Sequence, residues 1–555
     1  MRLRRKRSIR SLNRTLVFTI VFAVFFFRAQ LIFHIANIIF HPQTSEYQGG
    51  LIDDIQFIKC YRWFRQCQSL IRPLSSADRN LAAWARVSKN LSEETSYAIE
   101  SGVLYDTYVY VHRWKKSSNS QPMTDLAISK DPLTVPLRVL SEVQKLIQSR
   151  DSSAFHKHIY QQEPSIWERF SPWNHKSKGE IHLLGEDWQY KGGGIWCKYE
   201  SRNDPLVDIE VYLGAGFVES RPQWKEVISE YFRPYVKSNK YIPLSITKKV
   251  KSLSEPEVEP FDDSLRLKLP MTHDRSFKIL QITDVHFRCS DDGTILLNEF
   301  QTVNFIINIL DREVPDLVVI TGDFLDGLKS FDYQACILKL VQPMIRKGIS
   351  YAFSFGEADY SLYATETQIT AFISRLPFCM NKWSSLNNHM AIDIKLNSGS
   401  DIVLYVLDSF KSVEPFFIER ERLSLPKYSL AFRSLPIKEY RPEGSFPLIG
   451  QYNERFALES SLKIDSNLGD ILKRFKIMAM SCGYEHNNDC CLKSNDEIWL
   501  CYGGSSGVGL GKMFDMPANV RVFNIDDDKG EITSWKRNFI SVDSVYDYQY
   551  IRSVQ

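Results

Sequence analysis

Phe277-Lys278-Ile279-Leu280-Gln281-Ile282-Thr283, followed at once by Asp284-Val285-His286, decides the fold. Four of its first seven residues are large and apolar, in a short run that suits a strand buried on both faces. From Leu296 to Leu310, Phe300, Val303, Ile306, Ile307 and Leu310 recur at helical spacing. Asp316 to Thr321 (DLVVIT) is a second buried strand, Asp332 to Arg346 a second helix, and Ser350 to Phe355 a third strand. Strand, helix, strand, helix, strand implies right-handed crossovers and a largely parallel sheet. Further strands are expected at Met390–Leu396, Ile402–Asp408, Lys476–Ser481, Glu497–Tyr502, Val520–Ile525 and Glu531–Trp535. That is enough for two sheets packed as a sandwich with helices outside, an α/β architecture of the α+β sandwich kind.

Polar residues sit where each buried strand ends. Asp284 and His286 follow the first, Gly322-Asp323 the second, and Gly356-Glu357-Ala358-Asp359 the third. Ligands of α/β sheets bind beyond the carboxyl ends of strands. Two carboxylates and an imidazole at that edge suit a divalent metal. The plainer alternative is that Asp284 caps a helix and His286 is an ordinary loop residue.

Gly483-Tyr484-Glu485-His486 extends the series of strand-end motifs. ITDVHF, VVITGDFLDG, FGEADYS, Asp408-Ser409-Phe410, LPIKEYRP, GYEHNND and LCYGGSSGVGLG together resemble calcineurin-like metallophosphoesterases. They resemble the fungal membrane-associated branch that includes dosage-dependent cell-cycle regulator phosphatases. VESRPQW at 218–224, upstream, resembles the same branch. The resemblance covers most of residues 277–540 and implies a two-metal site. Its first-metal ligands fall at Asp284, His286, Asp323 and His486, all of the expected type. Asp326 stands where some related enzymes place an extra ligand.

The second-metal positions differ. Those the resemblance gives to Asn, His and His are Glu357, Ser434 and Tyr484, and the general-acid His is Ala358. The loss is sorted, with one site whole and the other keeping only its shared Asp323. Glu357 and Tyr484 retain oxygen donors, so a distorted second site stays open. The expectation is one divalent or trivalent ion, Fe, Mn or Zn. No catalytic residue is assigned.

The remaining chain sets the context. A length of 555 residues implies more than one domain, and a net charge of +3 gives no reason to expect a nucleic-acid partner. Arg2, Arg4, Arg5, Lys6, Arg7, Arg10 and Arg14 precede two apolar runs, Thr15 to Phe27 and Leu31 to Phe40. Joined, the runs are long enough to span a bilayer, at a cost of ~2.5–3.5 kcal/mol for Arg28. An uncleaved signal anchor is therefore expected at 15–40. Residues 1–14 would be a cytoplasmic tail, with the rest lumenal or extracellular, a single-pass type II arrangement. A cleaved signal peptide and a membrane-surface helix are the alternatives. The bilayer is one expected partner, and a phosphoprotein or other protein is the second.

A helical segment is expected at 45–95, with an amphipathic helix over 50–72 ending at Pro73. A β-rich domain at 96–247, a linker at 248–270 and the phosphoesterase domain at 271–545 complete the division. Val207, Ile209, Val211 and Leu213 alternate as a half-buried strand, while Gly192-Gly193-Gly194 and Gly214-Ala215-Gly216 read as turns. All ten cysteines follow the apolar runs, as an oxidising compartment allows. On a helix, Cys60 and Cys67 would lie about 10 Å apart, too far to bridge. Disulfides are expected elsewhere, with no connectivity readable. Asn90-Leu91-Ser92 is a glycosylation sequon.

Three functions follow. The first is a pseudophosphatase with a binding or regulatory role. The second is a metal-dependent phosphatase, acting on phosphoproteins or phosphomonoesters through an altered site. The third is a carbohydrate-binding module built on the upstream Trp and Tyr residues, for which core packing is the plainer explanation.

Overall fold

The computed structural model describes residues 51–61, 84–87, 89, 105–114, 121–128, 188–192, 195–200, 204–214, 216–227 and 244–250. It also describes 276–552 apart from 291, 331, 361–363, 382–388, 442–445, 454–466 and 511–515. The basic tail, the expected anchor, Cys67, Asn90 and most of the expected linker lie outside them. Among the described residues no helix is long and apolar enough to cross a membrane.

Nine upstream strands form three antiparallel three-stranded sheets. They are β1 (Ile52–Tyr61), β2 (Trp84–Arg86), β3 (Tyr105–Arg113), β4 (Asp125–Ile128), β5 (Trp188–Gly192), β6 (Ile195–Lys198), β7 (Leu206–Leu213), β8 (Trp224–Glu226) and β9 (Leu244–Val250). Ile55, Val111, Leu126, Ile209 and Ile246 share one core. β1 corrects the helix expected over 50–72. Ile52 and Ile55 are both fully buried and three residues apart, a helix-like spacing. A register shift between Ile52 and Asp54 produces that spacing in a strand, because a bulge resets which face each residue points to. Cys60 therefore lies on a strand, opposite Asp106. Lys248 to Val250, expected to open the linker, are the end of β9. Tyr110, Tyr199 and Tyr212 are buried, as core packing requires.

The described residues from Ser276 to Arg552 form a four-layer sandwich. β10 (Ser276–Ile282), β11 (Leu317–Thr321) and β12 (Ser350–Ser354) are parallel neighbours. β20 (Asn519–Asp526), β21 (Glu531–Asn538) and β22 (Tyr546–Arg552) extend that sheet antiparallel, in the order β12-β11-β10-β20-β21-β22. The second sheet holds β13 (Met390–Lys395), β14 (Asp401–Val406), β15 (Tyr428–Phe432), β16 (Leu448–Ile449), β17 (Ala479–Cys482), β18 (Cys491–Lys493) and β19 (Trp499–Tyr502). Its order is β13-β14-β15-β17-β19-β18-β16, with the central four parallel. β22 falls beyond the expected boundary at 545. Its buried Gln549 and Ile551 alternate with exposed tyrosines, the period-two pattern of a one-sided edge strand.

The strands' two faces explain their nearly continuous apolar sequences. Phe277, Ile279, Leu317 and Val319 face the second sheet's Ile402, Leu404, Leu430 and Phe432. Leu280, Ile282, Val318 and Ile320 point the other way, onto α1 (Gly293–Glu313), α2 (Tyr333–Lys347) and α3 (Glu366–Ile373). The outer face of the second sheet packs on α4 (Glu414–Arg420) and α5 (Leu468–Arg474). Asp292 caps α1 by accepting the N–H groups of Thr294 and Ile295, and Asp332 caps α2 in the same way. The carboxylate of Asp332 also takes the Leu213 N–H at 2.8 Å and pairs with Lys89, tying the upstream sheets to this layer. In the VESRPQW stretch, Arg221 bonds Glu219 and Glu210 and lies 3.9 Å over the Trp224 ring. Disulfides join Cys289 to Cys336 and Cys491 to Cys501.

Candidate metal centre

β10, β11, β12, β15 and β17 all end at one edge of the sandwich, and each delivers its next few residues there. The backbone at that edge is strained. Asp284, His286, Asp323 and Tyr484 have φ of 51°, 52°, 48° and 71°, in the left-handed region that non-glycine residues rarely occupy. Asp284 is not a helix cap, since Asp292 caps α1. Glycine is required where chains meet: a Cβ on Gly483 would lie 1.9 Å from Thr283 Oγ1 and 2.5 Å from Asp284 Oδ2.

The structure brings Asp284, His286, Asp323 and His486 together, with one ligand atom from each within 4.8 Å of all the others. His286 Nε2 is 3.4 Å from His486 Nε2 and 3.9 Å from Asp323 Oδ2, and His486 Nε2 is 3.3 Å from Asp284 Oδ1. Atoms about 2.0–2.2 Å from one ion stand at such separations from each other. Burial lowers the His286 pKa from 6.5 to about 4, so the ring is neutral and offers a lone pair. Burial, then the Asp284 charge, raises Asp323 from 3.8 to about 7. Two buried carboxylates and two imidazoles, the His286 ring neutral, converge on one point, so the donor set fits one cation.

Hydrogen bonds fix these ligands from behind. Thr283 Oγ1 donates to Asp284 Oδ2 at 2.7 Å, and the Tyr484 N–H reaches both Asp284 oxygens at 3.1 Å. The Ala358 N–H donates to Asp323 Oδ1 at 2.8 Å. Asp359, fully buried, accepts the N–H groups of Asp323, Leu325 and Gly356 at 3.0, 2.8 and 2.7 Å. Its position was visible as the last residue of a Gly-x-x-Asp loop, but its role depends on β11 lying beside β12. Ser409 accepts the Ser434 and Leu435 N–H groups, giving Asp408-Ser409-Phe410 a bracing role.

The other candidates behave differently. Asp326 pairs with Arg288 at 2.8 Å and Lys329 at 3.2 Å and is outside the four-residue group. The Tyr484 hydroxyl donates to Glu357 Oε2 at 2.8 Å, so the two oxygen donors of the altered site bond each other. Burial and the Glu357 charge push the Tyr484 pKa up, which keeps it a phenol. Ser434 is fully buried at the end of β15, a strand the sequence reading did not place, and its hydroxyl has no hydrogen-bond partner. Ala358 offers no side-chain proton.

Layered sheets with this ligand edge define a metallophosphoesterase architecture. The chain belongs to the calcineurin-like phosphoesterases, whose family profile matches residues 277–424. It is similar to "Protein SIA1" of Kluyveromyces lactis, 33% identical over 94% of this chain and 93% of that one. It is 28% identical to "Phosphatase DCR2" of Saccharomyces cerevisiae, covering 62% of this chain and 66% of that protein. "Probable inactive purple acid phosphatase 28" of Arabidopsis thaliana is 25% identical, with 49% of this chain and 83% of that protein covered.

Proposed function

We propose that this chain is a pseudophosphatase that holds one metal ion, Fe, Mn or Zn, at Asp284, His286, Asp323 and His486. Its fold then serves binding or regulation, with a phosphoprotein or another protein as partner. The observation that carries this reading is the Tyr484–Glu357 hydrogen bond. It joins to each other the two oxygen donors that stand at second-metal positions. An ion in the retained site would supply positive charge to phosphoryl oxygens. Asp284 and Asp323 would orient it through the fixed hydrogen bonds behind them. The position that the resemblance assigns to protonating a leaving group is Ala358, which has no side-chain proton to give. Loss of a general acid alone costs ~10²–10⁴-fold in rate. The Arabidopsis relative, named a probable inactive phosphatase, points the same way.

The test is hydrolysis of a generic phosphate ester by the purified full chain, with and without added Mn²⁺ or Zn²⁺. The expected result is turnover at the background rate despite one bound ion. Robust metal-dependent hydrolysis that disappears in His286→Ala would establish the active-phosphatase reading instead, in line with the name of the Saccharomyces relative.

The basic and apolar N-terminal residues support a type II anchor at 15–40, with the folded region lumenal. Protease protection of the folded region on sealed membranes is the expected result. Digestion without detergent would overturn that topology.

A further inference from the structure

Glu485 lies between Tyr484 and His486, yet it is fully buried and outside the metal-ligand group. A buried carboxylate is costly unless every oxygen is partnered. Here the partners come from two other segments and from the loop itself. The Arg441 guanidinium bonds Glu485 Oε1. Tyr502 Oη and Asn488 Nδ2 donate to Oε2 at 2.6 and 2.9 Å. Arg441 closes the ring by donating to Tyr502 Oη at 2.9 Å.

The ring is anchored to the second sheet. Tyr502 is the last residue of β19. Tyr440, next to Arg441, donates its hydroxyl to the carbonyls of Met480 on β17 and Cys501 on β19 at 2.9 and 3.0 Å. Asn488 Oδ1 accepts the Asn453 N–H at 2.7 Å. The loop itself is closed tightly, since the Glu485 N–H bonds the Gly483 carbonyl and the Asn488 N–H bonds the Glu485 carbonyl. With the central side chain of Tyr484-Glu485-His486 fixed in the protein, the loop has little freedom left to carry His486 away from Asp284.

We propose that the half-buried Arg441 and the buried Glu485 form a positioning pair that holds His486 at the metal site. The proposal rests on the one-ion reading. It explains why LPIKEYRP, far from GYEH in sequence, belongs to the same functional unit. Neither residue touches the ion; both act through His486.

The experiment uses Co²⁺ as the probe on the full chain. Affinity is read by titration, ligand geometry by the visible d–d absorption, and folding by thermal melting without metal. Arg441→Gln alone strands a buried charge, so the decisive variant is Arg441→Gln with Glu485→Gln, which removes both charges together. It should fold, bind Co²⁺ roughly 10–100-fold more weakly, and show an altered spectrum. Arg441→Lys, which keeps the charge but loses the two-pronged bond, should fall between it and the wild type. If the double variant fails to fold, Tyr502→Phe removes one bond of the ring and should still shift affinity and spectrum while melting normally. Wild-type affinity and spectrum in a folded double variant, or in Tyr502→Phe, would overturn the proposal. Absence of any bound Co²⁺ in the wild type would instead overturn the one-ion reading on which it stands.

Discussion

Asp359→Asn tests whether the strand-end loops are held by charge. The Asp359 carboxylate is fully buried and has three N–H donors, two on Oδ2 and one on Oδ1. An asparagine has one acceptor oxygen. Its better orientation keeps the two bonds at Oδ2 and turns its NH₂ group toward the Leu325 N–H. The stranded donor costs ~1–3 kcal/mol, and the two retained bonds each lose ~1 kcal/mol of charge assistance. The sum is about 3–5 kcal/mol, or a fall in melting temperature on the order of 10 °C for a domain of this size. Because one stranded contact borders Asp323, Mn²⁺ affinity should also fall ~10–100-fold. Burial and the Asp323 charge push the Asp359 carboxyl up, against the pull of the three donors. The net direction is upward, with burial the largest cause; a group left protonated by that rise would be a neutral acid, and asparagine would mimic it. A melting temperature within ~2 °C of wild type, with unchanged Mn²⁺ affinity, would refute the charged-hub argument.

Elemental analysis should find at most one tightly held ion per chain, and Asp284→Ala should abolish it; two ions with activity would contradict the proposed function. Gly483→Ala forces a methyl to within 1.9 Å of Thr283 Oγ1, so it should destabilise by ~1–3 kcal/mol and weaken metal binding, read by melting and titration. Asp323, raised to about 7, contributes stability that is complete below 3.8 and lost as pH rises through 7. His286, lowered to about 4, contributes stability that is complete above 6.5 and lost as pH falls through 4. The two trends oppose, so melting of the metal-free protein should vary little between pH 4 and 6.5, whereas Mn²⁺ affinity should fall ~10-fold per unit below pH 7 as the ion displaces the Asp323 proton. Pooling Glu357→Asn, Ala358→His, Ser434→His and Tyr484→His should yield a second bound ion and measurable phosphatase activity, while Tyr484→His alone should yield neither.

The phosphoesterase half was legible because its strands are buried on both faces and its helices on one. Burial on both sides leaves an apolar run, and burial on one side leaves a period, so FKILQIT, DLVVIT and the helix through Val303, Ile306 and Leu310 announce themselves, although Phe300, read onto the same face, is exposed. The polar residues after those runs were equally visible, and the ordered motifs located Asp284, His286, Asp323 and His486. Where local pattern and tertiary setting diverge, the sequence misleads. Ile52 and Ile55 imitate a helix because a bulge breaks the strand's period, and β22 shows only half of a strand's pattern because its other face is solvent-exposed.

What only the tertiary structure decided are relations between residues far apart in the chain. Tyr484 and Glu357 are separated by 127 residues, and no local rule says that one hydroxyl will meet the other carboxylate rather than an ion. Asp359 reads as the second acidic residue of a polar loop until β11 and β12 pair and bring it the Asp323 and Leu325 N–H groups. Glu485 reads as a loop glutamate until Arg441 and Tyr502 enclose it. The type of chemistry follows from which side chains are present, which is a property of the sequence. Whether a carboxylate serves as ligand, hub or buried anchor depends on which donors reach it, and packing of distant segments sets that.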